Sequence, residues 1–346
     1  MGWDVVVVGG GIAGVSVAAE LAVHGSVVLV EAESELARHT TGRSAAVYAP
    51  SYGGAVVRAL TAASLPLFGE GLLSPRPMLW VGDVAGLAGD VQEISAGEAL
   101  RLCPVLRPER VGGLAVDLGT RDIDVMGLHQ RYVRRLKAAG GEIRKGAPVT
   151  AVRRDGVGWR VTAGTEEISA GVVVNAAGAW TDRVAGLAGV PALGLRPLRR
   201  TIAIATGDAP VGAGWPLVAD VADTFYFRPE GPGVLVSPAD ETPVEPGDAK
   251  PDELDVALAV DRVNEVTTLG LRSVRTAWAG LRTFAPDREP VVGELPGHPG
   301  FSFFAGQGGY GIQMAPALAV AAARIIVGQR PEIAAELVSP ARLGAA

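Results

Sequence analysis

The chain has 346 residues, a length that suggests about two domains and allows a large cofactor to be buried. Its net charge of −6, without a sustained basic run, argues against nucleic acid as a partner. The single cysteine, Cys103, excludes an intrachain disulfide and a cysteine-based metal cluster, so we expect no metal and a reducing, cytoplasmic location. No signal peptide is expected. The apolar stretch at residues 312–327 contains Pro316 and Arg324, so it predicts a buried helix and not a transmembrane segment.

Residues 3–31 have the pattern of a dinucleotide-binding βαβ unit. Four consecutive valines predict a buried strand, and Gly9, Gly11 and Gly14 follow it in the order G-x-G-x-x-G. These glycines allow a tight turn, the approach of a pyrophosphate and the close packing of a helix. Because the chain has 47 glycines, the bare pattern arises by chance about once. The surrounding strands, the helix and Glu31, placed to bind an adenosine ribose, therefore carry the interpretation.

The remaining elements are predicted in two blocks, in chain order. The first block has helices at residues 58–68, 95–101 and 125–139, the second of them opened by a capping box of Ser95 and Glu98. Strands at residues 78–83, 142–144, 149–153, 159–163 and 171–175 accompany them. The second block, residues 199–236, is rich in strands and is closed by a helix at residues 251–269. We interpret it as an antiparallel substrate domain inserted into a nucleotide-binding domain.

A second glycine-rich turn lies near the end of the sequence. Residues 301–313 predict a strand, a turn containing Gly308, Gly309 and Gly311, and the start of a helix. Backbone amides and a helix N-terminus can there meet an electron-rich group. Two such places in one chain indicate a long ligand, whereas an NAD enzyme seldom needs the second.

Several motifs resemble those of the FAD-dependent D-amino-acid oxidase superfamily, and specifically its D-arginine dehydrogenase branch. They lie at residues 39–46, 58–64, 73–77, 175–180, 279–282 and 308–313. Glycine and sarcosine oxidases are related to this branch. The resemblance implies an α/β fold with a Rossmann-like FAD-binding domain of the glutathione-reductase type and an α+β substrate domain on an antiparallel sheet. It assigns residues 1–75, 125–195 and 275–346 to the FAD-binding domain, and residues 76–124 and 196–274 to the substrate-binding domain.

The resemblance also implies FAD bound in an extended form. The adenosine lies at the first glycine turn, the flavin ring lies against the loop at residues 40–47, and its pyrimidine end lies over residues 308–313. The cofactor-binding residues implied are Gly9, Gly11, Ala13, Gly14, Glu31, Ala32, Thr40, Thr41, Arg43, Ser44, Ala45, Ala46, Val149, Ala177, Gly178, Trp180, Gly280, Gly308, Tyr310, Gly311, Ile312 and Gln313.

The same resemblance implies a carboxylate-binding site. Arg282 matches an arginine that clamps the substrate carboxylate, and a planar guanidinium suits this by forming two parallel charge-assisted hydrogen bonds. Tyr226 matches a tyrosine that contacts the same carboxylate, and Tyr52 one that covers the substrate. Gly309 lies at a positive helix end that can stabilise the reduced, anionic flavin. Arg199, or its neighbour Arg200, fits a secondary contact to the substrate.

Two positions depart from the D-arginine dehydrogenase pattern. Met78 stands where those enzymes have a glutamate that pairs with the substrate guanidinium, and Val47 stands where they have a histidine beside the flavin. A cationic substrate would lose its counter-charge, and burial of an unpaired charge is costly. We therefore expect a neutral or apolar substrate side chain. Sarcosine oxidases attach FAD through a cysteine near the position of Gly280 and use a lysine near that of Leu235, and both are absent here.

These features predict an oxidoreductase with non-covalent FAD that oxidises the CH–NH bond of a D-amino acid. A hydride passes to the flavin, and the imino acid hydrolyses to a keto acid and ammonia. The missing lysine favours a dehydrogenase over an oxidase, and the electron acceptor, oxygen or a quinone, stays open. None of the four histidines is assigned as a base, and His39 is expected to point to solvent. The alternatives are oxidation of another amine or of a 2-hydroxy acid, a non-catalytic flavoprotein, and an NAD enzyme.

Overall fold

The computed structural model describes residues 2–333 and 335–344, which form seven α-helices and three β-sheets. The helices are α1 (Ile12–Leu21), α2 (Ala55–Ser64), α3 (Ala96–Leu102), α4 (Val125–Ala138), α5 (Thr181–Leu187), α6 (Glu253–Val266) and α7 (Gly311–Ile326). The strands are β1 (Trp3–Val8), β2 (Val27–Val30), β3 (Val47–Tyr48), β4 (Leu73–Pro75), β5 (Met78–Gly82), β6 (Val91–Glu93), β7 (Gly113–Asp117), β8 (Arg121–Ile123), β9 (Glu142–Arg144), β10 (Val149–Asp155), β11 (Gly158–Ala163), β12 (Glu166–Asn175), β13 (Arg196–Thr206), β14 (Leu217–Asp220), β15 (Tyr226–Glu230), β16 (Gly233–Ser237), β17 (Thr242–Pro243), β18 (Ser273–Phe284), β19 (Val291–Glu294), β20 (Phe301–Ala305) and β21 (Gln307–Gly308).

The first sheet is the nucleotide-binding half of the predicted α/β fold. It has eight strands, and β9, β2, β1, β12 and β20 pair in parallel in that order. The valines of β1 and β2 are buried on both faces, as expected for central parallel strands covered by helices. On one face α1 packs against α4 and α7, and on the other lies an aromatic-rich cluster around Trp159, Phe301 and Phe303. Because β1 and β12 are parallel, their carboxyl ends lie at the same edge of the sheet, which borders the site described below.

The second sheet has ten strands in the order β21-β18-β13-β16-β15-β14-β5-β7-β6, with β17 attached to β13. All its pairs are antiparallel except that of β5 with β14. Helix α6 covers one face, where an apolar core forms. A third sheet of β3, β8 and β4 lies under the segment that precedes α2.

Most predicted elements are confirmed, including the βαβ unit, α4 and the capping box of Ser95 and Glu98. The helix predicted at residues 58–68 begins earlier, at Ala55, and ends at Ser64, where a separate 3-10 turn, Leu65–Leu67, follows with Pro66 at its second position. The helix predicted at residues 251–269 is α6, capped by Asp252. Within the described residues, α7 and the other helices are too short or too polar to cross a bilayer.

The predicted domain boundary at residue 275 falls inside β18, which pairs with β13 along its whole length. The short strand β21, assigned by sequence to the FAD-binding domain, also joins the ten-stranded sheet. Strands β18 and β21 therefore connect the predicted domains at the site. The division into two domains itself stays a prediction.

Candidate active site

The glycine turn between β1 and α1 has the geometry that a dinucleotide requires. Gly9 has a φ of +111°, which favours glycine, and a Cβ there would overlap the Ala176 carbonyl. A Cβ at Gly14 would overlap the Gly9 carbonyl oxygen, so this glycine sets the close packing of helix on strand. Gly11 is the N-cap of α1 and supplies no side-chain cap. The Ile12 N–H donates to the Thr41 hydroxyl at 3.0 Å, and the Gly11 N–H at the start of the helix remains available to a phosphate.

Glu31 lies at the end of β2, where the sequence predicts a ribose contact. Its Oε2 accepts from the backbone N–H of Gly10 at 2.6 Å, and its Oε1 accepts from that of Glu33 at 2.8 Å. A carboxylate has about four acceptor sites, so both oxygens can accept further hydrogen bonds. The backbone bonds hold the carboxylate at the edge of the turn.

A cavity of about 910 Å³ runs from this turn to β5 and joins the two predicted parts of the site. Its size is within the range of small-molecule and cofactor sites. The predicted residues that line it are Gly9, Gly11, Ala13, Glu31, Ala32, Thr40, Thr41, Arg43, Ser44, Ala45, Ala46, Val47, Tyr52, Met78, Val149, Ala177, Gly178, Trp180, Tyr226, Gly280, Arg282, Gly308, Gly309, Gly311, Ile312 and Gln313. Gly14, Arg199 and Tyr310 are the predicted residues outside this lining.

The loop at residues 40–47 is fixed against β18. The Thr40 hydroxyl donates to the Leu281 carbonyl at 2.8 Å, and Arg43 Nη1 donates to the Ala279 carbonyl at 3.0 Å. The Trp278 indole N–H donates back to the Arg43 carbonyl at 3.1 Å. The predicted flavin loop and the strand that carries Arg282 are therefore one connected wall of the cavity.

Buried polar atoms without hydrogen-bond partners provide a test of whether FAD fits. Among the described residues, such atoms include His39 Nδ1, Thr283 Oγ1, Gln307 Nε2 and Gln313 Nε2, and all four residues line the cavity. Buried polar groups normally find a partner, so these atoms indicate a ligand with several donors and acceptors. A flavin and its ribityl chain have this character, and the residues fit FAD.

His39 corrects an expectation from the sequence. It was expected to point to solvent, but its ring lies in the cavity wall and packs on Trp180, with 4.9 Å between ring centroids. Its Nε2 is 3.0 Å from a Glu33 carboxylate oxygen. His39 is the N-cap residue of the short 3-10 turn at Thr40–Arg43.

Arg282 lies at the opposite end of the cavity from α1 and is 7% exposed. Its Nη2 donates to the Tyr52 hydroxyl at 3.1 Å, and its Nη1 donates to Glu241 Oε1 at 3.1 Å. The guanidinium carbon lies 5.1 Å from the ring centroid of Phe284. A Cβ at Gly309 would overlap this guanidinium, so glycine is required for the arginine to lie where it does.

Tyr310 packs against Arg282, the predicted carboxylate clamp, and is not itself among the residues that line the cavity. It is buried, and its ring packs on those of Tyr52, with 5.1 Å between centroids, and Phe284, at 6.1 Å. The Arg282 guanidinium lies 5.7 Å from its ring centroid. Tyr310 therefore stabilises the clamp through cation–π and aromatic packing.

Glu241 joins three guanidinium groups into one cluster, which the sequence analysis missed. Its carboxylate accepts from Arg282 and from both terminal nitrogens of Arg288, and it lies 3.4 Å from Arg200 Nη2. Asp223 lies 3.5 Å from the same Arg200 nitrogen. Three arginines and two carboxylates leave one net positive charge, which matches a single substrate carboxylate. Glu241 lies in a glycine- and proline-rich loop, and no local motif marks it.

The cluster sets the ionisation of Glu241. Partial burial acts to raise the pKa of this carboxyl group, but the hydrogen bond from Arg288 and the charges of Arg282, Arg288 and Arg200 outweigh it and lower the pKa. Glu241 is therefore ionised at neutral pH. It neutralises part of the positive charge beside the clamp.

Tyr226 begins β15 and lines the same end of the cavity. Burial raises the pKa of its hydroxyl, although the charges of Arg200 and Arg282 and a hydrogen bond with Ser237 act in the opposite direction. The phenol is therefore neutral and can donate a hydrogen bond. Its position beside Arg282 agrees with a shared contact to a carboxylate.

Strand alternation separates Arg199 from Arg200 and corrects the preference for Arg199 as a substrate contact. In the β13–β18 register Arg200 pairs with Gly280, so these residues share the face of the sheet that lines the cavity. Arg199 points to the other face, where its Nη2 donates to Asp255 at 2.6 Å. The neighbouring arginine, named as the other choice, is the one in the cavity.

Beyond the clamp the cavity wall is apolar. Val47, Met78, Trp80, Leu217 and Ala219 line it, and Met78 is 4% exposed. The Trp80 indole N–H donates to the Ser51 hydroxyl at 3.3 Å, which fixes the ring. The sequence analysis did not name Trp80, although the predicted strand at residues 78–83 places it on the same face as Met78.

Comparison with known proteins agrees with this geometry. The family model for FAD-dependent oxidoreductases of the DAO family matches residues 4–325. The chain therefore belongs to this family, and FAD is its cofactor. FAD-dependent oxidoreductase domain-containing protein 1 from Bos taurus is 33% identical over an alignment of 184 residues, and the match covers 47% of this chain and 37% of that protein. The chain thus spans well under two thirds of the length of that curated relative.

Solved structures show the same fold. Glycine oxidase from Geobacillus kaustophilus superposes with a TM-score of 0.84 at 19% identity, covering 98% of both chains. L-Proline dehydrogenase from P. horikoshii superposes with a TM-score of 0.86 at 20% identity, covering 99% of this chain and 97% of that one. The predicted fold class is confirmed. The closeness to the D-arginine dehydrogenase branch stays a prediction.

Proposed function

We propose that this protein catalyses the FAD-dependent oxidation of an amino acid at its CH–NH bond, with a neutral or apolar side chain and the D configuration preferred. One observation carries the proposal. A single cavity joins the dinucleotide turn at Gly9 to the buried, net-positive clamp at Arg282. The family resemblance and the similarity to enzymes named for glycine and proline support an amine as the reacting group.

The residues at the clamp would orient the substrate. Arg282 and Tyr226 would hold the carboxylate, and Tyr52, bonded to Arg282, would cover it. Bound FAD would supply the acceptor for a hydride and its two electrons from the α-carbon, and the imine that the substrate becomes would be hydrolysed by water to a keto acid and ammonia. Fixing the carboxylate fixes the direction of the α-C–H bond, which is the main contribution of such positioning.

The amine must also reach its reactive form. Hydride transfer from the α-carbon requires a neutral amino group, because the nitrogen lone pair forms the new double bond. The substrate carboxylate balances the single net positive charge of the cluster. The ammonium proton therefore has to pass to solvent before the hydride leaves.

The apolar wall supports the preference for a neutral side chain. Met78 and Trp80 are buried and offer no counter-charge to a basic substrate. Met adapts to different shapes, so we expect several apolar side chains to be accepted. D-Arginine and D-lysine are expected to be poor substrates.

Non-covalent attachment of FAD is part of the proposal. Cys103 is buried in the core beside α6 and does not line the cavity, so it offers no thioether linkage to the flavin. We also expect cytoplasmic location and transfer of electrons to oxygen or a quinone. Acid precipitation of the holoenzyme is expected to release all of the flavin into the supernatant.

Anaerobic bleaching of the flavin band tests the substrate class. The panel is both enantiomers of alanine, valine, proline and arginine, with glycine, sarcosine and 2-hydroxyglutarate. We expect the apolar D-amino acids to bleach the flavin at least about tenfold faster than their L forms or D-arginine, a factor that one well-placed contact supplies. Bleaching by the hydroxy acid alone, or by none of these compounds, contradicts the proposal and favours a hydroxy-acid enzyme or a non-catalytic flavoprotein.

A further inference from the structure

His129, in the middle of α4, contacts the back of the dinucleotide turn. Its side chain is fully buried, and its Nε2 lies 2.9 Å from the carbonyl oxygen of Gly10. The same oxygen accepts from the backbone N–H of Ala37 at 3.2 Å. Burial lowers the pKa of His129 despite the bond to Gly10, so the ring is neutral and its proton lies on Nε2, where an acceptor is present. Nδ1 has no partner among the described residues.

Peptide geometry gives this contact a consequence on the other side of the turn. In a trans peptide the carbonyl and the following N–H point in opposite directions, and every described peptide bond is trans. The Gly10 carbonyl points to His129 in the core, so the N–H of Gly11 points away from the core. Gly11 lines the cavity, and its N–H has no acceptor within the part of the chain that the structure describes.

The sequence of the turn means that the orientation of the Gly10–Gly11 peptide has to be fixed by contacts with other residues. The peptide lies between two glycines, which resist its rotation less than any other pair of residues. After a flip, the Gly10 carbonyl oxygen would face the anionic pyrophosphate, and an attractive contact would become a repulsive one. The N–H of Gly10 is held by Glu31 at 2.6 Å, but this bond fixes the preceding peptide.

We infer that His129 is a positioning residue for FAD: its Nε2–H holds the Gly10–Gly11 peptide so that the Gly11 N–H faces the pyrophosphate. The inference rests on FAD as the cofactor and is independent of the proposed substrate. It also explains a histidine that lies far from the clamp and is excluded from solvent. The ring acts through the peptide and does not contact the flavin.

The test compares three variants of the full chain, stripped of flavin, by fluorescence titration with FAD and with riboflavin, which lacks the pyrophosphate. His129→Leu removes the donor, and His129→Gln retains an N–H donor at similar reach. Leu128→Ala removes a neighbouring buried side chain of α4 that has no hydrogen bond to the turn. It controls for general loss of stability.

We expect His129→Leu to weaken FAD binding by about five- to tenfold, because it removes one of the two hydrogen bonds that hold the Gly10 carbonyl, and to leave riboflavin binding unchanged. His129→Gln should restore FAD binding to within about threefold of the wild type, and Leu128→Ala should not alter the ratio of the two affinities. Equal loss for FAD and riboflavin, or FAD affinity unchanged in His129→Leu, overturns the inference. If His129→Leu does not fold, His129→Asn, whose amide is too short to reach Gly10, replaces it under the same expectations.

Discussion

The two ends of the cavity are built in different ways. The dinucleotide end is centred on the backbone of one continuous segment, residues 3–31, with glycines where side chains would collide, and residues such as Val149 and Gly178 complete its wall. The carboxylate end is made of side chains from distant parts of the chain: Arg282 and Tyr52, which share a hydrogen bond, are 230 positions apart. A backbone motif of this kind depends on residues that are neighbours in the sequence. A charge cluster depends on residues that come together only when distant strands pair. Variants at each end should therefore have separable effects.

Arg282→Ala, at the carboxylate end, is expected to have the largest effect on kcat/KM and little effect on FAD affinity. It removes the clamp and one of the three guanidinium partners of Glu241, so kcat/KM for the best amino acid should fall by roughly 100-fold or more. FAD affinity should stay within about threefold of the wild type, because the dinucleotide end is untouched. Steady-state kinetics and flavin titration measure the two quantities.

Arg199→Ala is the matched control for that variant. It removes an arginine from the adjacent strand whose side chain points to the opposite face. We expect its kcat/KM to stay close to that of the wild type. A comparable loss in both variants would contradict the assignment of Arg282 as the clamp.

Gly309→Ala should have the next largest effect. The backbone of Gly309 is not in a left-handed conformation, so the new methyl group acts through its overlap with the Arg282 guanidinium. Overpacking of this kind is expected to lower kcat/KM by about tenfold, mainly through KM. Gly97→Ala, at a site with no atom within 4 Å, is the control and should have no effect. Unchanged kinetics in Gly309→Ala would place the guanidinium elsewhere.

Glu241→Gln should have a smaller effect, and it should strengthen the binding of a carboxylate where the two preceding variants weaken it. It raises the net charge of the cluster and replaces the charge-assisted hydrogen bond to Arg282 Nη1 with a weaker neutral one, so a carboxylate probe such as benzoate should bind roughly fivefold more tightly. The flavin absorbance shift on titration measures this affinity. Weaker binding of benzoate would indicate that Glu241 orients Arg282 and does not compete with the ligand.

The same variant has a defined pH dependence. The pKa of Glu241 is lower in the folded protein than its ordinary value of 4.5, so its ionised form stabilises the fold above that pH. This contribution is lost as the pH falls through the lowered pKa. Thermal unfolding between pH 7 and pH 3 should therefore show a smaller decrease in stability for Glu241→Gln than for the wild type.

The elements that the sequence predicted best are those encoded locally. The valine runs of β1 and β2, the glycine turn and the capping box of Ser95 each depend on neighbours within a few residues. Helix α2 was misplaced because Pro66 breaks a pattern that continues in hydrophobicity. The boundary predicted at residue 275 divides β18, because the pairing of β18 with β13 is a long-range property that the sequence pattern does not show.

The candidate site was predicted in part for the same reason. The family resemblance predicted roles for Arg282, Tyr226 and Tyr52, and all three residues line the same cavity. Glu241 and Arg288 were missed, since nothing in a loop sequence states which distant arginine a carboxylate will meet. To decide between Arg199 and Arg200 one needs the register of β13, because neighbouring residues of a strand point to opposite faces of the sheet.

The central claim is that the clamp at Arg282 presents a carboxylate-bearing amine to FAD. The most direct measurement is the rate of anaerobic flavin reduction by a matched pair, the best amino acid and the amine that its decarboxylation would give. We predict that the amino acid reduces the flavin at least about 100-fold faster in the wild type, and that Arg282→Ala removes most of this difference. Equal rates for the two compounds in the wild type would contradict the account.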